Sequence, residues 1–178
     1  VRALLLSGIA LSSVLISGRF RGSYNGGSDY MTVQVALPLA VACWLPEGSK
    51  GQWGCLAWIA LQVWISYLIA GWVKIRNPEW RSGRILQSFA GFDQYGVPNS
   101  FAAIATVSWL RPLLAWSILI WELGFGVVFV VPGTALPIMV LGAGFHLANF
   151  WVFGLNRFFW AWMAAYPAVW FWAPKIIG

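Results

Sequence analysis

Three ionisable residues stand inside or at the edge of strongly apolar sequence, and they carry the candidate chemistry: Lys74, Glu122 and His146. Lys74 directly follows an uncharged run over residues 53–73. A run of this length crosses a bilayer, which predicts that Lys74 lies where hydrocarbon gives way to lipid headgroups. A lysine at that level is either an interfacial anchor or a base working at the membrane edge. The sequence leaves both interpretations open.

Glu122 lies close to the middle of another apolar run, residues 113–131. A carboxylate near mid-membrane costs about 2.5–3.5 kcal/mol on insertion scales, so it needs a partner or must be protonated. Two interpretations follow. Glu122 is a proton carrier in a reaction, or it pairs structurally with a loop arginine or with His146.

His146 is the only histidine of the chain, so a metal site built from several histidines is excluded and we predict no metal centre. A single intramembrane histidine can be a base, an axial ligand to a pigment or haem, or a hydrogen-bonding strut between helices. We therefore treat Lys74, Glu122 and His146 as catalytic candidates if the protein is an enzyme, and His146 as the cofactor-binding candidate. The sequence contains no CxxC, no GxSxG and no phosphate-cradling glycine loop, so it lacks these common signatures of soluble enzymes.

The composition defines the class of protein that must position these residues. Of 178 residues, 60% are hydrophobic and only 9% are charged, whereas a soluble domain carries about 25% charged residues. Such a chain cannot cover a globular surface with polar groups, which predicts a polytopic membrane protein. Its net charge of +6 comes mostly from arginines in short loops, a pattern typical of membrane topology signals rather than of nucleic-acid binding. The predicted partners are the lipid bilayer and other integral membrane subunits, with no nucleic acid.

Apolar runs predict about six transmembrane helices in one domain spanning residues 1–178. The runs are 3–17, 30–45, 53–73, 113–131, 135–155 and 158–173. Between the third and fourth, residues 85–92 are predicted to form a surface helix, and residues 101–110 are too short to cross and are predicted to be re-entrant or interfacial. Asp29 is predicted to cap the second helix. The expected fold is therefore an all-α bundle with one interfacial segment.

The basic residues divide unequally between the two faces of this six-span arrangement. Eight share one face (Arg19, Arg21, Lys74, Arg76, Arg81, Arg84, Arg111 and Arg157), whereas Arg2, Lys50 and Lys175 lie on the other. The positive-inside rule then predicts that the basic loop 74–112 is cytoplasmic, in what we predict to be a bacterial inner membrane. Cys43 and Cys55 flank the turn assigned to the outside, where a disulfide can form.

Three short segments, in this order, resemble the horizontally transferred transmembrane (HTTM) domain family, which is related to the membrane part of vitamin K-dependent γ-glutamyl carboxylase. They are the segment 67–74 (YLIAGWVK) followed by Trp80 and Gly83, the segment 121–124 (WELG), and Phe145-His146 with Asn149, Gly154 and Phe158. The resemblance covers about residues 52–172. It implies that Lys74 occupies the place of the carboxylase lysine thought to act as the base that starts vitamin K epoxidation. The active face of the carboxylase is lumenal, whereas the charge count predicts a cytoplasmic Lys74.

Two functional hypotheses follow. In the first, the protein is an accessory or structural subunit of a larger membrane complex, as its small size and its many Trp and Phe residues indicate. In the second, it is an enzyme acting on a quinone-like or other lipid-soluble substrate, with Lys74 as base and Glu122 and His146 as polar supports. A bound quinone, pigment or lipid is the corresponding cofactor hypothesis. The enzyme requires Lys74 and Glu122 to face one cavity, whereas the accessory subunit does not.

Overall fold

The computed structural model describes residues 1–20, 26–91 and 96–177, and within these ranges the chain is helical and contains no strand. The helices are α1 (Arg2–Arg19), α2 (Gly26–Ala42), α3 (Lys50–Arg76), α4 (Pro78–Arg81), α5 (Arg84–Ala90), α6 (Asn99–Thr106), α7 (Leu110–Gly124), α8 (Ala135–Phe153) and α9 (Asn156–Ile177). A 3-10 segment, Phe125–Phe129, extends α7. The prediction of an all-α fold is confirmed for this part of the chain.

Four helices are long and apolar enough, by length and composition, to cross a membrane: α1, α3, α7 with its 3-10 extension, and α8. These four fit an integral membrane protein, because about 20 apolar residues in a helix span the hydrocarbon core. α2 has 17 residues, and α9 has 22 residues that include several Trp and two Pro. Neither belongs to the set of four, so the count of six spans stays a prediction.

The boundaries of α3 follow from its flanking residues. The Ser49 hydroxyl caps the start of the helix by accepting the Gln52 N–H at 3.3 Å. The helix stops before Pro78, because a proline disfavours helical backbone in the residue that precedes it. Asn77 then caps α4 by accepting the Glu79 N–H at 2.8 Å. Lys74 is thereby held in the last turn of α3, immediately before a sharp change of direction.

The predicted N-cap role of Asp29 is wrong. α2 begins at Gly26, so Asp29 lies in the first turn of the helix rather than before it. Its carboxylate instead forms an ion pair with Arg157 at the start of α9. Gly26 and Gly27 thus belong to the helix, and the Asp29 carboxylate is buried where it ties α2 to α9.

The segment between α3 and α7 contains three short helices, α4, α5 and α6, which is more helix than its sequence predicts. The predicted surface helix 85–92 corresponds to α5, although Phe92 lies outside the described residues. The apolar piece 101–110 is divided between α6 and the first residue of α7. Leu86 of α5 and Phe101 of α6 line the same cavity. These short helices therefore cover one end of the bundle.

α3 and α9 form the centre of the bundle. Ile59, Val63 and Tyr67 of α3 pack in one core with Ala165 and Val169 of α9, all of them buried. α1 lies outside this core and packs on α2 through a small contact of buried alanines. Cys43 and Cys55 are both free thiols, so the disulfide considered from the sequence does not form. The central position of α3 directs one of its faces towards α7, α8 and α9.

Candidate functional site

Lys74 and Glu122 meet inside the bundle. The Lys74 ammonium, at the end of α3, forms an ion pair and hydrogen bond with Oε1 of Glu122 on α7. Glu122 is only 2% exposed, whereas 20% of the Lys74 side chain is accessible. Lys74 is therefore engaged by a buried carboxylate, and Glu122 has the cationic partner that a carboxylate in an apolar helix requires.

Gly71 allows this pairing by letting α3 and α7 approach closely. A Cβ atom at position 71 would lie 2.8 Å from Cγ of Leu123 and 3.2 Å from Cβ of Glu122. Lys74 follows three residues later and lies on the same face of α3. The Ala-Gly step before the lysine is thus explained by helix packing, which brings the Lys74 side chain to Glu122.

His146 belongs to a buried hydrogen-bond network that joins three helices. Its Nε2 atom lies 2.6 Å from the hydroxyl oxygen of Tyr67, and that oxygen lies 2.8 Å from the hydroxyl oxygen of Tyr166. His146 is fully buried, with the rings of Phe158 and Trp162 each 5.0 Å away between centroids. The histidine thus connects α8 to α3 and α9 through side chains.

Tyr67 and Tyr166 are site residues for which the sequence predicts no role, although Tyr67 lies in the segment that resembles the HTTM family. Tyr67 precedes Lys74 by seven residues, which is about two helical turns and places both on one face of α3. That spacing, together with the place of Tyr67 at the start of the segment 67–74 that resembles the HTTM family, is the signal in the sequence that points to Tyr67. Tyr166 gives no such signal, because only the packing of α9 against α3 brings the two hydroxyl groups together.

Trp80 covers the ion pair from the loop side. The Lys74 Nζ atom lies 5.0 Å from the centroid of the Trp80 ring, a distance typical of a cation–π contact. The helix that carries Trp80 is held to α7 because the Trp116 indole N–H donates to the carbonyl of Arg81 at 3.1 Å. The ammonium is therefore positioned by an anionic oxygen and an aromatic face.

A large and mostly apolar cavity joins these groups. Its volume is about 1320 Å³, and its lining includes Lys74, Glu122, His146, Tyr67 and Trp80. Ligand pockets of about 300–1,000 Å³ are typical of small-molecule sites, with apolar walls and a few polar groups that set orientation. The structure thus brings all three predicted site residues to one cavity whose walls suit an apolar molecule.

Three buried polar atoms of residues that line this cavity have no hydrogen-bond partner in the described part of the chain: Oε2 of Glu122, Nδ1 of His146 and Nε1 of Trp162. A buried polar atom without a partner is costly, so these atoms favour a bound molecule that donates or accepts a hydrogen bond. Axial ligation of a pigment by Nε2 of His146 would require the bond to Tyr67 to break. Among the described residues, no three His, Cys, Asp or Glu side chains form a group that could hold a metal ion.

The HTTM domain matches this chain over residues 49–173. The match begins just before α3, ends within α9 and includes Lys74, Glu122 and His146. It agrees closely with the range over which the sequence resembles the family. No curated protein and no solved structure gives a significant match. Since the matched region is well over half of the sequence, the chain belongs to the HTTM domain family.

Proposed function

We propose that the protein is a membrane enzyme that binds a quinone-like or other lipid-soluble substrate in the cavity between its helices and uses Lys74 as a base. The observation that carries this proposal is the pairing of Lys74 with Glu122 at the wall of a mostly apolar cavity that His146 also lines. An interfacial anchor would extend to the headgroups and would need no buried carboxylate. Three ionisable groups that converge on one end of a mostly apolar cavity instead favour chemistry on a bound molecule.

The ion pair supports a specific proton transfer. In water the charged pair is strongly preferred over a neutral amine and a carboxylic acid, but burial removes hydration from both ions and reduces that preference. Lys74 can then pass its proton to Glu122. The neutral amine accepts a proton from a substrate hydroxyl, such as that of a quinol. The O–H bond breaks, an N–H bond forms, and the electron pair stays on the substrate oxygen beside the new ammonium.

The remaining polar groups would orient the substrate. Nε2 of His146 lies 2.6 Å from the Tyr67 hydroxyl oxygen, whereas its Nδ1 has no partner among the described residues, so Nδ1 can form a hydrogen bond with a substrate oxygen. Aromatic walls such as Trp80 and Phe89, which line the cavity, can pack against an unsaturated ring. Lys74 and Glu122 are thus the reacting pair in this proposal, and His146 is a polar support.

A second candidate function is that of an accessory subunit in a larger membrane complex. The observation that favours it is the position of α1, of which only 6% is buried within the protein. α1 leaves a broad apolar surface, formed by residues such as Leu5, Leu11 and Leu15. Such a surface faces either lipid or another subunit. This role and ligand binding in the cavity are compatible.

One purification compares these candidates. The protein is isolated from its native membrane in mild detergent, and the sample is analysed by mass spectrometry and by its visible absorbance. We expect an apolar molecule to co-purify at near-stoichiometric amounts with the wild type and with Arg76→Ala, whose side chain lies over Trp72. We expect it to be lost with Lys74→Ala. Recovery only with a larger complex, and without a bound molecule, would favour the accessory role. Visible absorbance removed by His146→Ala would identify a pigment.

We also propose that the single domain 1–178 crosses a bacterial inner membrane six times, with α2 and α9 as the additional spans and α6 as an interfacial or re-entrant segment. The support is geometric, because α9 follows α8 after a two-residue turn and packs back along it. Lys74, Arg76, Arg81, Arg84, Arg111 and Arg157 then share one face with Arg19, which favours a cytoplasmic loop 74–112. Arg21, the eighth cation of that face, lies outside the described residues.

Cysteine accessibility tests this orientation. In a variant with Cys43 and Cys55 replaced by serine, single cysteines are introduced by Arg84→Cys and Lys50→Cys. We expect a membrane-impermeant maleimide to label position 50 in intact cells, and to label position 84 only after the cells are opened. Labelling of position 84 in intact cells would reverse the proposed orientation.

A further inference from the structure

A second group of polar residues lies in the same cavity, far from the ion pair. Gln62 stands near the midpoint of α3, and Gln34 stands at the midpoint of α2. Both line the cavity together with Ser66. Lys74 follows Gln62 by twelve residues along α3, which corresponds to about 18 Å along the helix axis. These polar side chains therefore lie at the level of the membrane centre rather than at its surface.

These side chains keep hydrogen-bonding capacity that the described residues do not use. The Trp58 indole N–H donates to Oε1 of Gln34 at 2.8 Å, and the amide N–H groups of Gln34 have no partner in the described part of the chain. Gln62 and Ser66 make no hydrogen bond among the described residues. An amide without a partner is unfavourable in an apolar environment. A leucine at position 62 would avoid that penalty, so the glutamine indicates a role outside the folding of the bundle.

We propose that Gln62, Gln34 and Ser66 form a second polar subsite, which takes an uncharged oxygen-containing group, a hydroxyl or a carbonyl, on the apolar chain of the bound molecule. This inference rests on the proposed function, because it assumes that the cavity holds a ligand. It adds that the ligand is elongated. Its polar head lies near Lys74, and an oxygen atom on its chain lies near Gln62.

The arrangement of α3 supports an elongated ligand. Gln62, Ser66, Ala70 and Lys74 follow each other at intervals of four residues, and all four line the cavity. Residues at this spacing are neighbours along a helix surface. Ala70 contributes only a methyl group to the path between the two polar ends and leaves that path uncharged. The subsite suits an oxygen acceptor, because the free groups of Gln34 are N–H donors and Gln62 adds two more.

The subsite also predicts an uncharged ligand group. The charged residues that line the cavity, Lys74 and Glu122, are paired with each other at its far end. An ionised group beside Gln62 would have no counter-ion among the described lining residues and would be strongly disfavoured at this depth. The amide and hydroxyl groups of the subsite are sufficient to bind a neutral oxygen atom, because such an atom requires hydrogen bonds rather than an opposite charge.

The test uses two acids that differ in one group, octadecanoic acid and its 12-hydroxy derivative. Equal amounts compete for the detergent-solubilised full chain, and native mass spectrometry measures which acid is bound. A hydrogen bond contributes about 0.5–1.5 kcal/mol net, so we expect about a two- to tenfold preference for the hydroxy acid. Gln62→Leu should remove that preference, and Ser66→Ala should reduce it. Ser117→Ala is the matched control, since Ser117 lines the cavity but its hydroxyl already donates to the Leu114 carbonyl at 2.8 Å.

The outcomes separate this inference from the proposed function. Equal binding of the two acids by the wild type, or a preference that persists in Gln62→Leu, would overturn the subsite and leave the cavity as a ligand site. Failure of the wild type to bind either acid would also overturn the subsite, whereas the proposed function is overturned separately, when no apolar molecule co-purifies with the wild type. The melting temperature of Gln62→Leu is a second measurement. We expect it to rise, whereas a structural role for Gln62 would make it fall.

Discussion

Replacing Lys74 with methionine is expected to destabilise the protein by about 3–5 kcal/mol, because it leaves the buried Glu122 carboxylate without its cation. Glu122→Leu is expected to cause a smaller loss of unfolding free energy. Of the Lys74 side chain, 20% is accessible, so the freed ammonium can turn towards the headgroup region on its long flexible chain. The measurement is the free energy of unfolding in mixed micelles with increasing sodium dodecyl sulfate.

The double variant Lys74→Met/Glu122→Leu separates stability from chemistry. Replacing both charges with apolar side chains of similar volume removes the penalty of burying them, so we expect stability close to or above that of the wild type. We also expect the double variant to have no proton-transfer activity, because the base and its partner are gone. Arg76→Met is the control for loss of a nearby cation. A double variant as unstable as Lys74→Met would contradict direct coupling between the two residues.

The sequence predicts the helices well because the evidence for them is local. The uncharged run before Lys74 and the apolar run around Glu122 both correspond to helices long enough to cross a membrane. The family resemblance was also predictable, since its residues keep their order along the chain. Asp29 shows the limit of local reasoning. Glycines are typical of turns, but α2 includes Gly26 and Gly27, and Asp29 in its first turn pairs with Arg157 instead of capping the helix.

The sequence predicts which ionisable residues belong to the site, but not which side chains contact each other. Lys74 and Glu122 are 48 residues apart in sequence, and Tyr67 and Tyr166 are 99 apart. Nothing in either segment specifies which distant side chain it contacts. Their pairing follows from the close approach of α3 and α7 at Gly71 and from the packing of α9 against α3. Tyr166 was missed for this reason, whereas Lys74, Glu122 and His146 were visible as ionisable groups in apolar surroundings.

The second large effect is expected at Gly83, in the turn that connects α4 to α5. Its φ angle is +73°, and a Cβ atom there would lie 2.5–2.7 Å from backbone atoms of Arg111 and Pro112. Gly83→Ala therefore combines left-handed strain of about 1–2 kcal/mol with a steric clash of about 1–3 kcal/mol. The clash is with backbone at the start of α7, which cannot move away as a flexible side chain can.

Gly96→Ala separates the two contributions to this effect. Gly96 also has a positive φ, +53°, but in the described chain nothing lies within 4 Å of the place that a Cβ atom would occupy, so it should show the left-handed strain alone. Gly91→Ala, with ordinary backbone geometry and contacts of 3.6–3.8 Å, should be close to neutral. Unfolding in sodium dodecyl sulfate should thus show the largest loss of unfolding free energy for Gly83→Ala, a smaller loss for Gly96→Ala and the smallest for Gly91→Ala.

Because Gly83 holds α4 against α7, its replacement should also displace Trp80 from Lys74 and weaken ligand retention. Equal losses of unfolding free energy for Gly83→Ala and Gly96→Ala would show that the contact with α7 does not contribute to the destabilisation by Gly83→Ala.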